Sequence, residues 1–322
     1  MIHDISVIIA TYNRAQDLSK TLESMVRTDK SGLTVEFIIV DNGSTDQTKS
    51  VVDSFSDRIS IHYIFEARSG KNRALNTALE KCELGKIVVF TDDDVDVSPD
   101  WLVSIRSVCD RWPNHAVFGG RINVVFPVEK VPEWASDPYL SSLCFAHHDY
   151  SDKECIYGTH MTPYGPNFWV RQEVFDDGRR YDEVIGPCPT NRIMGSETSF
   201  LIALLKDNYE IIYSPTAVVG HRVQPKTLKF SSICQRGYRL GRGEAHYLGL
   251  PAQNLLRNHF LLWLLYRNGS IIWYFFKVIA SFIFSKKEQR RSSVVNKLQG
   301  LGYRVEAVRL ANQVLNQLRE KS

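Results

Sequence analysis

The sequence predicts an α/β protein: a mainly parallel sheet covered by helices, with a C-terminal helical extension. Three observations carry this. Short β-branched apolar runs alternate with helical patterns along the first third of the chain, as in parallel sheets covered on both faces. Two of those runs end in aspartates, at Asp41 and at Asp92-Asp93-Asp94. The charge is also divided, since residues 226–322 hold 17 Lys and Arg against 4 Asp and Glu, a balance of +13, while residues 1–225 hold 22 against 32, a balance of −10.

The elements follow in order. Residues 5–10 (ISVIIA) form an apolar run without polar alternation, which reads as a strand buried on both faces. A helix follows, with Leu18, Leu22, Met25 and Val26 at helical spacing and Asp17 in its first turn. Residues 35–40 (VEFIIV), 59–65 and 86–90 (KIVVF) read as further strands, separated by helices over 46–55 and 72–84. Beyond residue 97 the alternation weakens. A helix over 101–112 and a strand over 116–125 are followed by a long functional loop over 127–163, rich in Pro, Ser, Asp and aromatics. Strand-like pieces at 168–175 and 210–219 flank a helix over 196–206. The tail contains apolar, aromatic stretches at 255–265 and 271–284. An amphipathic helix or helix pair over 294–318 is broken at Gly300-Leu301-Gly302.

Composition narrows the class. Apolar and charged fractions of 43% and 23% are those of a globular chain. Cys82, Cys109, Cys144, Cys155, Cys188 and Cys234 are scattered without a C-x-x-C pair, so neither a disulfide framework nor a zinc site is expected. Residues 1–6 carry no secretory pattern, and the expected location is cytoplasmic. No uninterrupted apolar run reaches the roughly 20 residues that span a bilayer. The basic, aromatic segment 255–291 is expected to meet a membrane surface from the inner face, or else to cap the acidic domain or form a homo-oligomer interface. Nucleic-acid binding is not expected, because the tail's apolar residues are bulky and no nucleic-acid module is recognisable.

The chemistry concentrates at the strand ends, where ligands of open α/β sheets bind. Three adjacent carboxylates, Asp92, Asp93 and Asp94, repel one another unless a cation is present, and such oxygen ligands suit Mg²⁺ or Mn²⁺ together with phosphates. Asp41 offers a second carboxylate, suited to a base or ribose. Residues 68–73 (RSGKNR) place a glycine and three cations before a helix, where backbone N–H groups favour anions, although the spacing is not that of a P-loop. Glu197 opens a helix and His221 closes a strand-like run; read alone, the first complements the helix dipole and the second is a core histidine.

Together, residues 6–14 (SVIIATYNR), 38–46 (IIVDNGSTD), 74–76 (ALN), 89–95 (VFTDDDV), Trp101-Leu102, 165–171 (GPNFWVR), 195–198 (GSET) and 217–221 (AVVGH) resemble, in order, the family 2 glycosyltransferases of GT-A fold. The resemblance spans about 5–223 and implies residue roles. It implies donor contacts from Thr11, Tyr12, Arg14, Asp41, Lys71, Asp92 and Asp93. It implies a divalent ion, Mn²⁺ or Mg²⁺, on Asp94 and His221, and an acceptor pocket shaped by Asn167, Trp169 and Arg171. Glu197 falls at the base position, where the usual Glu-Asp pair is Ser196-Glu197 here. The implied activity is inverting transfer of a sugar from a nucleotide diphosphate, UDP favoured, to a glycan or lipid-linked acceptor. A non-catalytic sugar-binding relative and a sugar nucleotidyltransferase are the alternatives. Residues 1–225 are expected to form the catalytic domain and 226–322 the helical extension.

Overall fold

A computed structural model describes residues 3–127, 131–188, 192–248, 260–286 and 289–320. Residues 255–259 and 287–288 of the expected membrane segment lie outside the described residues. The chain divides into two compact units.

The first unit comprises residues 1–127, 145–190 and 196–223. Its sheet has, among the described residues, nine strands. Strands β1 (Ile5–Thr11), β2 (Val35–Asp41), β3 (Ile61–Phe65) and β4 (Ile87–Thr91) are parallel, in the order β3-β2-β1-β4. Beyond β4 the sheet is mixed. Strand β8 (Phe168–Arg171) runs antiparallel to β4 and to β6 (Val117–Val125). Strand β6 is parallel to β9 (Ile211–Arg222), which pairs antiparallel with β5 (Val95–Val97) and with β7 (Cys155–Ile156).

Successive strand residues point to opposite faces. Ile5, Val7 and Ile9 of β1 therefore join Leu18, Leu22 and Met25 of α1 (Ala15–Val26), Val52 of α2 (Thr48–Asp53), and Trp101, Leu102 and Ile105 of α4 (Trp101–Arg111) in one core. Ile8 joins Val88 and Phe90 with Ala74, Leu75 and Ala78 of α3 (Lys71–Lys81) and Phe200, Leu201 and Leu204 of α6 (Ser196–Lys206) in the other. Both faces are covered, and this is why the strand reads as almost wholly apolar sequence, with Ser6 buried among it. Each such side chain contributes about 1.5–3 kcal/mol on full burial.

The second unit comprises residues 128–144, 191–195 and 224–322, so it takes two segments that the sequence reading left with the catalytic domain. The expected loop over 127–163 contains a short helical turn, Glu133–Ser136, then α5 (Pro138–Phe145) and β7. Helix α7 (Phe230–Tyr247) lies in the expected helical extension, in a stretch where no individual helix was delimited. It is followed by α8 (Phe260–Phe284) and α9 (Arg290–Glu320). The expected break at 300–302 is absent, and the glycines there serve packing instead. A Cβ on Gly302 would lie 2.0 Å from the carbonyl oxygen of Tyr238, and one on Gly241 would lie 1.7 Å from that of Gln299. Glycine thus lets α7 and α9 approach backbone to backbone. Inside this seam Glu306, 1% exposed, accepts hydrogen bonds from Arg242 Nε at 2.7 Å and Arg309 Nε at 2.7 Å, with His246 Nε2 at 3.2 Å. On α8, Ile272, Trp273, Phe275, Phe276, Phe282 and Ile283 are exposed. Among the described residues no helix is long and apolar enough to cross a membrane.

Candidate active site

The carboxyl ends of β1, β2 and β4 gather the expected residues. The pairing of Thr11 with Asp41 and of Ile9 with Thr91 fixes these ends side by side. Asp94 ends the turn after β4. His221 meets it because β9 pairs with β5 in a register that sets His221 opposite Val95, the residue after Asp94. A contact between positions far apart in sequence thus follows from one strand register.

His221 donates from Nδ1 to the carbonyl of Phe145 at 2.6 Å, which leaves Nε2 3.5 Å from Asp94 Oδ1. That Oδ1 is buried and has no hydrogen-bond partner. Asp94 Oδ2 and Asp93 Oδ1 both accept from Arg14 Nη1, at 2.7 and 2.5 Å, and Asp93 Oδ2 accepts from Thr11 Oγ1 at 2.7 Å. Burial raises the Asp93 carboxyl, and the neighbouring Asp94 adds to this against the pull of Arg14. Burial also works against the charged form of Asp94, but His221 and Arg14 outweigh it and hold Asp94 low. Burial pulls His221 down, but Asp94, with the Phe145 carbonyl and Asp92, holds it above its ordinary range.

A second group lies beside this one. Lys71 opens α3 after Gly70, whose φ of +135° is accessible without strain only to glycine. Its Nζ donates to Asp92 Oδ1 at 2.7 Å and to Glu197 Oε1 at 2.5 Å. Burial opposes the Lys71 charge, and the two carboxylates more than offset it, so Lys71 is held above its ordinary range. Glu197 is the second residue of α6, whose first residue, Ser196, hydrogen-bonds to Asn72 Oδ1 and is buried. The hydroxyl of Ser196 is therefore occupied by structure, and the carboxylate of Glu197 is the group turned to Lys71. Gly165 lies against it, since a Cβ there would be 2.7 Å from Glu197 Cδ.

Asp41, 2% exposed, accepts from the Ser44 amide at 2.7 Å and from Tyr63 Oη at 2.9 Å. Tyr12 is 46% exposed, so its ring has a free face. Of the residues expected to contact donor, Tyr12 is open to a ligand. Thr11 and Asp93 are buried, with Thr11 bonded to Asp93, and Arg14 is turned onto Asp93 and Asp94.

The acceptor residues require correction. Trp169 is 0% exposed and stacks on Phe118 with centroids 5.8 Å apart in the sheet core. Asn167, also 0% exposed, accepts from Trp101 Nε1 at 3.0 Å and donates to the carbonyls of Arg121 at 2.9 Å and Ala217 at 2.8 Å. Arg171 donates to the carbonyls of His115 and Cys109, each at 2.8 Å. All three brace β8 against β6, β9 and α4. Positions 167, 169 and 171 alternate along the chain and so take one face of the sheet, the face covered by α4, and a motif match alone does not say which face that is.

Tyr63 and Asn72 escaped the sequence reading. Tyr63 reaches Asp41 only because β3 pairs with β2 in a register setting Ile39 opposite Tyr63. Asn72 donates from Nδ2 to the carbonyls of Asp182 at 2.6 Å and Ile185 at 2.9 Å, tying α3 to the segment before α6. Neither has a local sequence signal.

The donor set suits a divalent ion in one respect. Asp94 Oδ1 and His221 Nε2 face each other, a carboxylate and an imidazole whose other nitrogen is fixed by a carbonyl, as in metal-ligating histidines. Among the described residues no cluster of three or more His, Cys, Asp or Glu is disposed to hold a metal by itself. Two protein ligands leave the remaining positions to phosphates and water, the usual arrangement for Mg²⁺.

With this fold and site in hand, the comparison with known proteins is direct. The sequence profile of Glycosyl transferase family 2 matches residues 6–179, more than half of the chain. The chain belongs to glycosyl transferase family 2 and is a glycosyltransferase. It is 26% identical over 265 residues to Glycosyltransferase AglE of Haloferax volcanii, covering 81% of this chain and 80% of that protein. It is likewise 26% identical over 251 residues to the glucosyl-dolichyl phosphate glucuronosyltransferase of the same organism, covering 74% and 75%. Among solved structures it resembles the mannosyltransferase PcManGT of Pyrobaculum calidifontis in complex with GDP-Man and Mn²⁺. That match has TM-score 0.60 and 18% identity over 96% of this chain and 88% of the other. This last likeness establishes the GT-A fold.

Proposed function

We propose that this glycosyltransferase moves a sugar from a UDP-sugar to a glycan or lipid-linked acceptor with inversion at the anomeric carbon. The observation that carries the reading is the bridge Asp92–Lys71–Glu197, which sets a candidate base one side chain away from a donor-side aspartate.

Tyr12 offers its exposed ring to the base and Asp41 its carboxylate. Both oxygens of Asp41 already accept one hydrogen bond, so the single N3–H of uracil is easier to admit than the forked donors of guanine. Asp92 would hold ribose. Asp94 and His221 would hold Mn²⁺ or Mg²⁺, an ion that supplies charge neutralisation at the departing diphosphate. Glu197 takes the proton of the acceptor hydroxyl as its oxygen bonds to the anomeric carbon and the bond to the diphosphate breaks, with the electron pair leaving on the nucleotide. A base on the acceptor side supports single displacement, hence inversion. Lys71, shared between Asp92 and Glu197, would turn towards the diphosphate.

The exposed apolar face of α8, with Lys286 and Arg291 also exposed, supports a peripheral location on the cytoplasmic face of a membrane, where a lipid-linked acceptor would be met. The free thiols fit a reducing compartment. The same face could seat a second copy, and sedimentation in detergent-free buffer separates the two. The test of the activity is release of nucleotide from UDP-, GDP- and dTDP-sugars with Mn²⁺, Mg²⁺ or EDTA, in wild type and Asp94→Ala. Metal-dependent release from a UDP-sugar, lost in the variant and giving a product of inverted configuration by NMR, is expected. Release that is indifferent to EDTA or absent with every donor would count against it.

A further inference from the structure

The resemblance to known transferases places Arg14 among the donor contacts, but its guanidinium faces inward. Arg14 Nη1 bonds Asp93 Oδ1 and Asp94 Oδ2, and Thr11 takes the remaining oxygen of Asp93. Three of the four carboxylate oxygens are thus engaged. The fourth, Asp94 Oδ1, is buried without a hydrogen bond and faces His221 Nε2. The chain around Arg14 is fixed on both sides. The Asn13 amide donates to Ser44 Oγ at 2.9 Å, Asn13 Oδ1 accepts from the Thr45 amide at 2.7 Å, and the Ala15 amide donates to Asp46 Oδ2 at 3.0 Å. Asn13 itself takes a φ of +51°, a left-handed conformation that asparagine tolerates better than most residues and that these bonds hold in place.

We propose that Arg14 is a positioning residue for the divalent ion: it balances the Asp93–Asp94 charge and turns Asp94 so that one oxygen opens towards the same space as His221 Nε2. The inference rests on the metal reading above. It is separable from a simple charge effect by its sign. A cation held this close repels a second cation, so if Arg14 acted only through charge, its removal would tighten metal binding. A positioning role requires the reverse, because Asp94 released from Nη1 is free to turn its open oxygen away.

The test is Mn²⁺ binding, read from the EPR signal of free Mn²⁺, to wild type, Arg14→Met and Arg14→Lys, without nucleotide and with saturating UDP or GDP. In Arg14→Met the Mn²⁺ Kd is expected to rise by about 10- to 100-fold, the range seen when groups that orient metal ligands are removed. Arg14→Lys keeps the charge but not the guanidinium fork, and an intermediate rise is expected, so the proposal stays testable if the methionine variant fails to fold. Unchanged or tighter binding in the folded variants overturns the positioning role while leaving the metal reading intact. A wild type that binds no Mn²⁺ under any of the three conditions removes both.

Discussion

Lys71 Nζ stands 2.7 Å from Asp92 and 2.5 Å from Glu197, a cation holding the donor-side carboxylate and the candidate base in one arrangement. Lys71→Met leaves two carboxylates facing each other without a counter-charge. The expected result is a fall in kcat/KM of about 100- to 1000-fold, the scale of losing one fixed electrostatic contact in an active site. Groups that act through one another lose less together than the sum of their separate losses. A double-mutant cycle of Lys71→Met with Glu197→Gln, measured on kcat/KM, should therefore be strongly non-additive. Additive losses would make the ion pair incidental to catalysis.

How far the sequence carried is seen in these same residues. The strand ends at Asp41 and Asp92–Asp94 were legible because a doubly covered parallel strand is written as an unbroken apolar run, and its end is marked by the first polar residues. Partners set by strand pairing were not legible. Asp94 meets His221 through the register of two strands far apart in the chain, and Asp41 meets Tyr63 through the register of two consecutive ones. The structural role of Asn167, Trp169 and Arg171 was missed for a related reason: successive residues of one short motif face opposite layers, these three share the layer of α4, and the face is set by β4 and β6. In the tail, the expected break at Gly300-Leu301-Gly302 is a continuous helix, because glycine there serves as contact surface against α7.

Gly165 sets a limit on where the base can stand. Its missing side chain leaves the space that the Glu197 carboxyl occupies, and an added Cβ would be 2.7 Å from both Glu197 Cδ and Oε1. Gly165→Ala should displace the carboxylate while the neighbouring β8 packing persists. We expect kcat to fall by about 10- to 100-fold with donor KM little changed, the pattern for an interaction made in the transition state. Steady-state kinetics with varied donor decides this. A rise in donor KM at constant kcat would place Gly165 on the donor side instead.

His148 gives a pH dependence. It is 7% exposed, its Nε2 lies 2.7 Å from Tyr157 Oη, and the rings of Tyr150, Tyr157, Tyr164 and Tyr213 surround it. Burial, and then the neighbouring His147, push its pKa down to about 4. Between that value and the ordinary 6.5 the unfolded chain binds a proton that the folded chain does not. Stability therefore rises with pH across this window, is complete above it, and is lost as pH falls towards 4, by roughly 3 kcal/mol in all. Urea unfolding from pH 4 to 7.5 should show this slope. His148→Asn, which removes the titration, should flatten it while lowering stability overall. An equal slope in both proteins would assign the acid sensitivity elsewhere.

The α7–α9 seam predicts a contrast between two glycines in helices. A Cβ on Gly241 would fall 1.7 Å from the carbonyl oxygen of Gln299, a rigid backbone atom, so Gly241→Ala must push the helices apart. Separation opens the contact that buries Glu306 with Arg242 and His246, so lost packing is joined by exposure of an ion cluster built for a closed seam. A loss of about 3 kcal/mol or more is expected, at the upper end of overpacking costs. Gly269 in α8 has nothing within 4 Å of its added Cβ. Gly269→Ala should raise stability by about 0.5–1 kcal/mol, the helix-propensity gain of alanine over glycine. Thermal unfolding of the two variants against wild type measures both signs. If Gly241→Ala were as benign as Gly269→Ala, close backbone contact would not be what joins α7 to α9, and the glycines there would have to be explained by something other than packing.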